Sequence, residues 1–149
     1  MTEELSVEIL ADSDMLAARA AARSLARDLG FTRTDATLIA TAVSEIARNI
    51  VIHAGQGKIV MTPLMEDERY GLSVVAFDGG PGIRDVAAAL ERGYAGRGGL
   101  GLGLPGARRL MDEFAIESDA EHGTTVTMTK WRARDELERL RERRRTRRR

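Results

Sequence analysis

"SEIARNIVIHAGQGKI", residues 44–59, places Glu45, Asn49 and His53 at intervals of four. The segment ends a longer predicted helix, residues 34–55, whose apolar residues recur at helical spacing. Residues four apart lie on one stripe of a helix, so a carboxylate stands beside a carboxamide. Asn offers a neutral oxygen ligand suited to Mg²⁺, and Glu can accept a proton. The spacing therefore indicates either a site for a cation and a nucleophile or a solvent-exposed polar face, and His53 is expected at its margin.

Strand and helix patterns on both sides of this helix indicate an α+β protein. Residues 5–11 alternate as an edge strand, and residues 13–29 form a helix with Ser13 as its N-cap; the helix of residues 34–55 is capped near Thr34. Strands are predicted at 57–66, 70–78, 114–120 and 124–131, and helices around 84–94 and 104–114. Strands clustered in the second half, with helices before and between them, favour a two-layer sandwich.

Composition limits the class of protein. A chain of 149 residues with 43% hydrophobic and 31% charged residues fits one globular domain. It has no cysteine, no apolar run near the ~20 residues that span a bilayer, and an acidic first segment unlike a signal peptide, so a cytoplasmic protein without a membrane is expected. Residues 132–149 hold ten arginines and four acids, whereas the other residues hold thirteen basic and nineteen acidic side chains.

A glycine-rich stretch, "GRGGLGLGLPG" at residues 96–106, contains the spelling Gly101-x-Gly103-x-x-Gly106 of a dinucleotide-binding fingerprint. No buried parallel strand precedes it, and no Gly-Lys-Ser/Thr follows it, so neither a Rossmann unit nor a P-loop is predicted. A glycine loop that enters a helix N-terminus still presents backbone N–H groups suited to phosphates. The stretch is therefore interpreted as a mobile lid over a ligand.

Two further motifs follow strands. In "FDGGPGI", residues 77–83, Asp78 ends an apolar strand where a carboxylate can accept from an amine, and the glycines allow a flat ring to approach the backbone. An ordinary turn is the alternative, since Asp-Gly is a common turn pair. In "HGTTV", residues 122–126, Thr124 begins a strand, which has little meaning by itself.

The order of these motifs along residues 5–131 resembles the GHKL ATPase superfamily of gyrase-, Hsp90- and histidine-kinase-like domains. Within it, the wording of residues 44–59, "DGGPGI", "GLGLGLPGARRLMDEF" and "GTTVTMTKW" is similar to the RsbT-type members of the anti-sigma and switch kinases. The resemblance implies a two-layer α/β sandwich of the GHKL (Bergerat) type, with a mixed, mainly antiparallel sheet and helices on one face. It implies one ATPase/kinase domain over residues 1–131 and an Arg-rich tail, partly helical or disordered, over residues 132–149.

The resemblance also implies roles for individual residues. Glu45 would act as, or help position, the base that takes the proton from a serine hydroxyl, and Asn49 would be the Mg²⁺ ligand beside the ATP phosphates. Asp78 would bond the adenine amino group, Gly82 would pack on the base, and Thr124 would bond near adenine through a water molecule. The remaining cofactor-binding residues implied are Gly80 and Ile83 near adenine and, in the lid, Arg97, Gly98, Gly99, Leu100, Gly101, Leu102 and Gly103.

The function implied is an ATP- and Mg²⁺-dependent protein serine kinase of a bacterial stress-response partner-switching module, the stressosome. Its substrate would be a STAS-domain antagonist, and a PP2C-type phosphatase or another regulator would be its downstream partner. The alternatives are an anti-sigma factor that sequesters a sigma factor and a nucleotide-sensing module without phosphotransfer. The acidic body argues against nucleic acid as a partner, except for weak contacts through the tail's arginines.

Overall fold

The computed structural model describes residues 3–92 and 103–147. Helices and strands alternate along the chain largely as the sequence predicts. None of the described helices is long and apolar enough to cross a bilayer. In chain order the elements are β1 (Leu5–Ile9), α1 (Asp12–Asp28), α2 (Arg33–His53), β2 (Gly57–Met65), β3 (Arg69–Asp78), α3 (Val86–Arg92), α4 (Gly103–Leu110), β4 (Glu113–Asp119), β5 (Gly123–Ala133) and α5 (Glu136–Arg147).

One five-stranded sheet, in the order β1-β2-β3-β5-β4, forms one layer of the described structure. The predicted fold class is confirmed, and β1 lies at an edge as expected. All four pairings between the described strands are antiparallel, so the sheet is not mixed there. Two of these pairings, β2 with β3 and β4 with β5, are hairpins with short connections, which favour antiparallel neighbours over a parallel crossover.

The core lies between one face of this sheet and α2. Val74 of β3 is paired with Met61 of β2 and with Met128 of β5, so the three side chains share a face. All three are fully buried, as is Val43 of α2. Helices α1 and α4 pack against α2 in the same layer. Removing these apolar side chains from water is the main stabilising contribution to such a fold, and it fixes where α2 lies above the strand ends.

The starts of α1 and α2 differ from the sequence predictions. Ser13 is not the N-cap of α1, because the helix begins at Asp12 and the Asp14 carboxylate accepts hydrogen bonds from the backbone N–H groups of Leu10 and Ala11 at 2.8 and 3.0 Å. The cap of α2 is Thr32, whose hydroxyl accepts from the backbone N–H of Asp35 at 3.1 Å. A capping residue must precede the first turn whose N–H groups it satisfies. Both helices therefore begin one or two residues earlier than predicted.

The C-terminal segment continues from the sheet. Strand β5 runs to Ala133, across the predicted division between domain and tail at residues 131–132. The tail was predicted to be partly helical or disordered, and its described part contains the helix α5. The Arg132 guanidinium donates to the backbone oxygen of Leu29 at 2.8 Å and forms an ion pair with Glu138 at 2.6 Å. The division into domain and tail stays a prediction.

Arg134 attaches the start of α5 to the turn between β2 and β3. It is 4% exposed, and its Nη1 donates to the backbone oxygens of Glu66 and Asp67, both at 3.0 Å. Its guanidinium carbon lies 4.7 Å from the centre of the Tyr70 ring. Such a cation–π contact adds to the hydrogen bonds, so the first turn of α5 is held against the body.

Candidate active site

A pocket lies between the C-terminal half of α2 and the adjoining ends of β3 and β5. It brings together residues from three separate sequence motifs, which the chain order alone left far apart. Their predicted roles as ligands of a nucleotide stay predictions. The lining residues are Ile46, Asn49, Ile50, His53, Ala76, Asp78, Pro81, Gly82, Ile83, Thr124 and Val126.

Asn49 faces this pocket from α2, and its Nδ2 is buried without a hydrogen-bond partner among the described residues. A buried amide nitrogen without a partner is uncommon in folded proteins. The carboxamide has two N–H donors and one oxygen acceptor. It can therefore donate to an anionic oxygen and, through Oδ1, hold a hard cation.

Asp78 ends β3 at the mouth of the pocket. Its Oδ1 accepts from the backbone N–H of Gly80 at 3.0 Å, whereas its Oδ2 accepts no hydrogen bond from any described residue. A Cβ on Gly80 would lie 2.7 Å from the Cβ of Ala54, at the end of α2. Glycine at position 80 thus lets the loop approach α2 closely while the Asp78 side chain keeps one acceptor for a ligand.

Gly82 and Ile83 form another side of the pocket. Gly82 has φ +77°, and a Cβ there would lie 2.4 Å from the backbone oxygen of Asp119. Both its conformation and its contact with the β4–β5 turn therefore require glycine. The Ile83 backbone N–H donates to the hydroxyl of Ser118 at 2.6 Å, which fixes the loop against the sheet.

Thr124 is the second residue of β5, just after the exposed turn of residues 120–122, and is itself only 8% exposed. Its Oγ1 lies 2.7 Å from Oγ of Ser118, a residue that sequence reasoning missed. A signal was available: Phe114, Ile116 and Ser118 alternate along β4, which places Ser118 on the core-facing side of the strand. The turn "EHG" then pairs Ser118 with Thr124 across the hairpin.

Glu45 does not line the pocket. It is 9% exposed, and its Oε2 accepts from the backbone N–H of Gly103, the first residue of α4, at 3.0 Å. Gly103 has φ +48°, which an L side chain rarely adopts. Glu45 therefore joins α2 to the end of the glycine stretch. The other predicted lid residues, Arg97, Gly98, Gly99, Leu100, Gly101 and Leu102, lie outside the described residues.

His53 lines the pocket one turn beyond Asn49, closer to the site than its expected place at the margin. Apolar side chains also line the pocket, among them Ile50 of α2, Ala76 of β3 and Val126 of β5. A pocket with apolar walls and a few polar groups is typical of sites for small molecules with a flat ring. The carboxylate of Asp78 and the hydroxyl of Thr124 are the groups that can fix such a ring by hydrogen bonds.

These residues fit ATP with Mg²⁺. The Asp78 Oδ2 can accept from an exocyclic amine, and the apolar side chains of Ala76 and Val126 can contact a flat base. A phosphate oxygen can supply the partner that the Nδ2 of Asn49 lacks. The described residues contain no cluster of three or more His, Cys, Asp or Glu side chains that could hold a metal. Mg²⁺ commonly binds through one or two protein oxygens together with substrate phosphates, which suits Asn49.

Comparison with known proteins assigns the chain to a family. Residues 10–130 match the family described as "Histidine kinase-like ATPase domain". The serine/threonine-protein kinase RsbT of Bacillus subtilis is 44% identical over 131 residues, which cover 88% of this chain and 98% of that protein. An anti-sigma F factor of Bacillus licheniformis is 30% identical over 138 residues, covering 87% and 93% of the two chains.

A solved structure gives the same fold. The mycobacterial sensor histidine kinase MprB matches with a TM-score of 0.50 and 16% identity, covering 90% of this chain and 99% of that chain. The chain therefore belongs to the histidine kinase-like ATPase domain family and is a homologue of the RsbT-type serine/threonine-protein kinases.

Proposed function

We propose that this chain is an ATP- and Mg²⁺-dependent protein serine kinase that phosphorylates a STAS-domain antagonist. One observation supports it most: Asn49, with an unpartnered buried amide, and Asp78, with a free carboxylate oxygen, face the same pocket. This pairing provides one group for the phosphates and one for the base. The 44% identity to a serine/threonine-protein kinase supports transfer to a protein rather than simple hydrolysis.

In this proposal Asp78, Asn49 and Glu45 each have a defined task. Asp78 accepts from the amine of adenine, and Asn49 donates to a phosphate oxygen while its Oδ1 holds the cation. Mg²⁺, when bound, would neutralise phosphate charge. Catalysis of phosphoryl transfer consists mostly of such charge neutralisation together with positioning of the reacting groups. Glu45 lies one helical turn from Asn49 and accepts the proton of the attacking serine hydroxyl through the oxygen that Gly103 does not use.

The partners in the proposal are the STAS-domain antagonist and a downstream regulator of the PP2C-phosphatase type, within a stress-response module in the cytoplasm. The absence of cysteine supports a reducing compartment. Likeness to an anti-sigma F factor favours a second candidate, in which the chain binds a sigma factor and kinase activity is secondary. A third possibility is nucleotide binding without transfer.

Phosphotransfer to the antagonist tests the proposal. The purified chain, ATP labelled in its terminal phosphate, Mg²⁺ and the STAS-domain protein of the same genome are incubated, and labelled phosphoserine is measured. We expect transfer that EDTA abolishes and that Asn49→Ala lowers by about 10²-fold or more, since both cation and phosphate lose a partner. Glu8→Gln, an exposed carboxylate on strand β1, is the matched control and should behave as wild type.

Two results would replace the proposal. Binding of ATP with no transfer to any STAS-domain protein, together with stable binding of a purified sigma factor, would favour the anti-sigma function. Binding of ATP with neither transfer nor a sigma complex would favour the sensor. No binding of ATP at saturating Mg²⁺ would overturn the assignment of the pocket.

A further inference from the structure

Ser118 lies behind the pocket rather than in its lining, between two groups that do line it. Its Oγ is 2.6 Å from the backbone nitrogen of Ile83 and 2.7 Å from Oγ1 of Thr124. Ser118 and Thr124 are cross-strand partners in the β4–β5 hairpin, and Thr124 is also paired with Asp78 of β3. The three side chains therefore form one polar row across adjacent strands, next to the apolar core.

The direction of the hydrogen bonds in this row follows from the donors available. The backbone N–H of Ile83 can only donate, so Ser118 Oγ accepts from it. A hydroxyl that accepts becomes a better donor, because hydrogen bonds in a chain polarise one another. Among the described residues the Thr124 oxygen is the acceptor within reach of the Ser118 hydroxyl. Either hydroxyl could be the donor at this distance, but the bond accepted from Ile83 favours donation from Ser118 to Thr124. That direction leaves the hydrogen of the Thr124 hydroxyl for a ligand in the pocket.

We propose that Ser118 is a positioning residue for base recognition, which makes Thr124 a hydrogen-bond donor beside the acceptor Asp78. This inference rests on the proposed function, because it concerns the base in the same pocket. Adenine presents an amine at C6 and an acceptor at N1, which match an acceptor and a donor on the protein. Guanine presents the opposite pair at the same two positions, an oxygen at C6 and an N–H at N1.

In this proposal the series of hydrogen bonds from Ser118 through Thr124 reaches N1 of adenine directly or through one ordered water. Thr124 is the donor toward the base in both cases. A bridging water that accepts from Thr124 must itself donate onward. The strands that carry Asp78, Thr124 and Ser118 are fixed in register by backbone hydrogen bonds. The hydroxyl of Thr124 has little freedom to reverse, since reversal would leave Ser118 without its acceptor.

The test measures the coupling between Ser118 and atom N1 of the base. Dissociation constants for ADP and for 1-deaza-ADP, in which a C–H replaces N1, are measured by calorimetry with Mg²⁺ for the wild type and Ser118→Ala. One hydrogen bond in a buried site is worth roughly a factor of ten in affinity. We expect the wild type to bind ADP about tenfold more tightly than 1-deaza-ADP, and Ser118→Ala to bind the two within about threefold of each other.

Three further variants separate positioning from stability. Ser73→Ala removes a serine hydroxyl from the opposite face of the same sheet and should keep the wild-type preference. Ser118→Thr and Ser118→Val match each other in shape, so only the threonine variant should keep the preference if Ser118→Ala proves too unstable to measure. Thr124→Val should lose the preference, and adding Ser118→Ala to it should change the ratio no further.

Equal weakening of ADP and 1-deaza-ADP by Ser118→Ala would show a purely structural role and overturn the inference. A wild type that binds both nucleotides equally would also overturn it, because N1 would then not be read. Those results leave the proposed kinase function intact. Failure of the wild type to bind ADP at all would overturn the proposed function and this inference together.

Discussion

The carboxylate of Glu45 accepts a hydrogen bond from the backbone N–H of Gly103 at 3.0 Å, across 58 positions of sequence. The bond places a residue expected to be a base at the point where the glycine stretch enters α4. In the proposed mechanism Glu45 therefore has two separable tasks: its Oε2 holds the start of α4, and its other oxygen takes the proton. A variant that keeps one task and removes the other can distinguish them.

Glu45→Gln should retain nucleotide binding and lose transfer. The amide oxygen can still accept from Gly103, whereas the amide cannot take a proton from a serine hydroxyl. We expect its ATP dissociation constant to stay within about threefold of wild type and phosphotransfer to fall about 10²- to 10⁴-fold. Glu45→Ala should lose phosphotransfer and also bind ATP about tenfold more weakly, because Gly103 loses its hydrogen-bond acceptor. Equal phosphotransfer by wild type and Glu45→Gln would rule out the base.

Asp78→Asn should weaken the binding of ATP without unfolding the protein. The asparagine Oδ1 can still accept from Gly80, but its Nδ2 would face the amine of the base as a second donor. We expect a loss of affinity of about 30-fold or more, because a buried donor is left unpaired. Equilibrium titration with ATP measures it, and Asp12→Asn in the exposed first turn of α1 is the control. Unchanged affinity in Asp78→Asn would place the base elsewhere.

Gly82→Ala and Gly55→Ala form a matched pair for the shape of the pocket. Both glycines have positive φ, +77° and +83°, but a Cβ at Gly82 meets the oxygen of Asp119 at 2.4 Å, whereas a Cβ at Gly55 meets nothing within 4 Å. Backbone strain alone costs about 1 kcal/mol in the free energy of unfolding. The added overlap should bring Gly82→Ala to about 3 kcal/mol.

Urea denaturation measures both changes in the free energy of unfolding. Only Gly82→Ala should also weaken the binding of ATP. Equal destabilisation by the two substitutions would mean that the β4–β5 turn moves aside without cost. In that case the close approach of Gly82 to Asp119 would not shape the pocket.

The contact of α5 with the body should depend on pH. The hydrogen-bonded ion pair with Arg132 lowers the pKa of Glu138 from 4.5 to about 2. A carboxyl whose folded pKa is depressed stabilises the fold above its unfolded pKa, and this contribution is lost as pH falls from about 4.5 toward 2. Solvent screens this partly exposed pair, so we expect about 1 kcal/mol at neutral pH.

The unfolding free energies of wild type and Glu138→Gln, compared from pH 7 to pH 2.5, measure this contribution. Their difference should shrink toward zero at the acid end, whereas Glu136→Gln, an exposed residue of the same helix, should track the wild type throughout. A difference that stays constant with pH would contradict the role assigned to the ion pair.

Periodicity and turn chemistry were enough to predict the elements. The apolar spacing around Ile46 and the glycine after Ala54 located α2, and alternation located β2, β3 and β5. Helix starts were less accurate, because Thr32 and Thr34 are both capable caps of α2, whereas Ala11, at the cap position of α1, has no side-chain acceptor that marks it. Pairing direction came from the resemblance, which implied some parallel pairing that the described strands do not show.

Residues of the candidate site could be predicted where they belong to a sequence motif. They could not be predicted where their place depends on contact with a neighbouring strand. Asp78 and Thr124 were expected near a base because their motifs were recognised. Ser118 belongs to no motif, and its contact with Thr124 depends on the hairpin register, which fixes which residues face each other. Glu45 was expected to act as, or help position, a base, but its bond to Gly103 depends on how α4 packs on α2.

Strand β5 carries Thr124 near one end and Arg132 near the other, with Val126 and Met128 buried between them. A shift of one residue would turn every one of these side chains to the opposite face. A single inserted residue within the strand would therefore damage the pocket and the seat of α5 together. Insertions beyond Glu142 alter neither the register of β5 nor the ion pairs of Arg132 and Arg134 with α5, so the arginine-rich end can change in length while the pocket stays as it is.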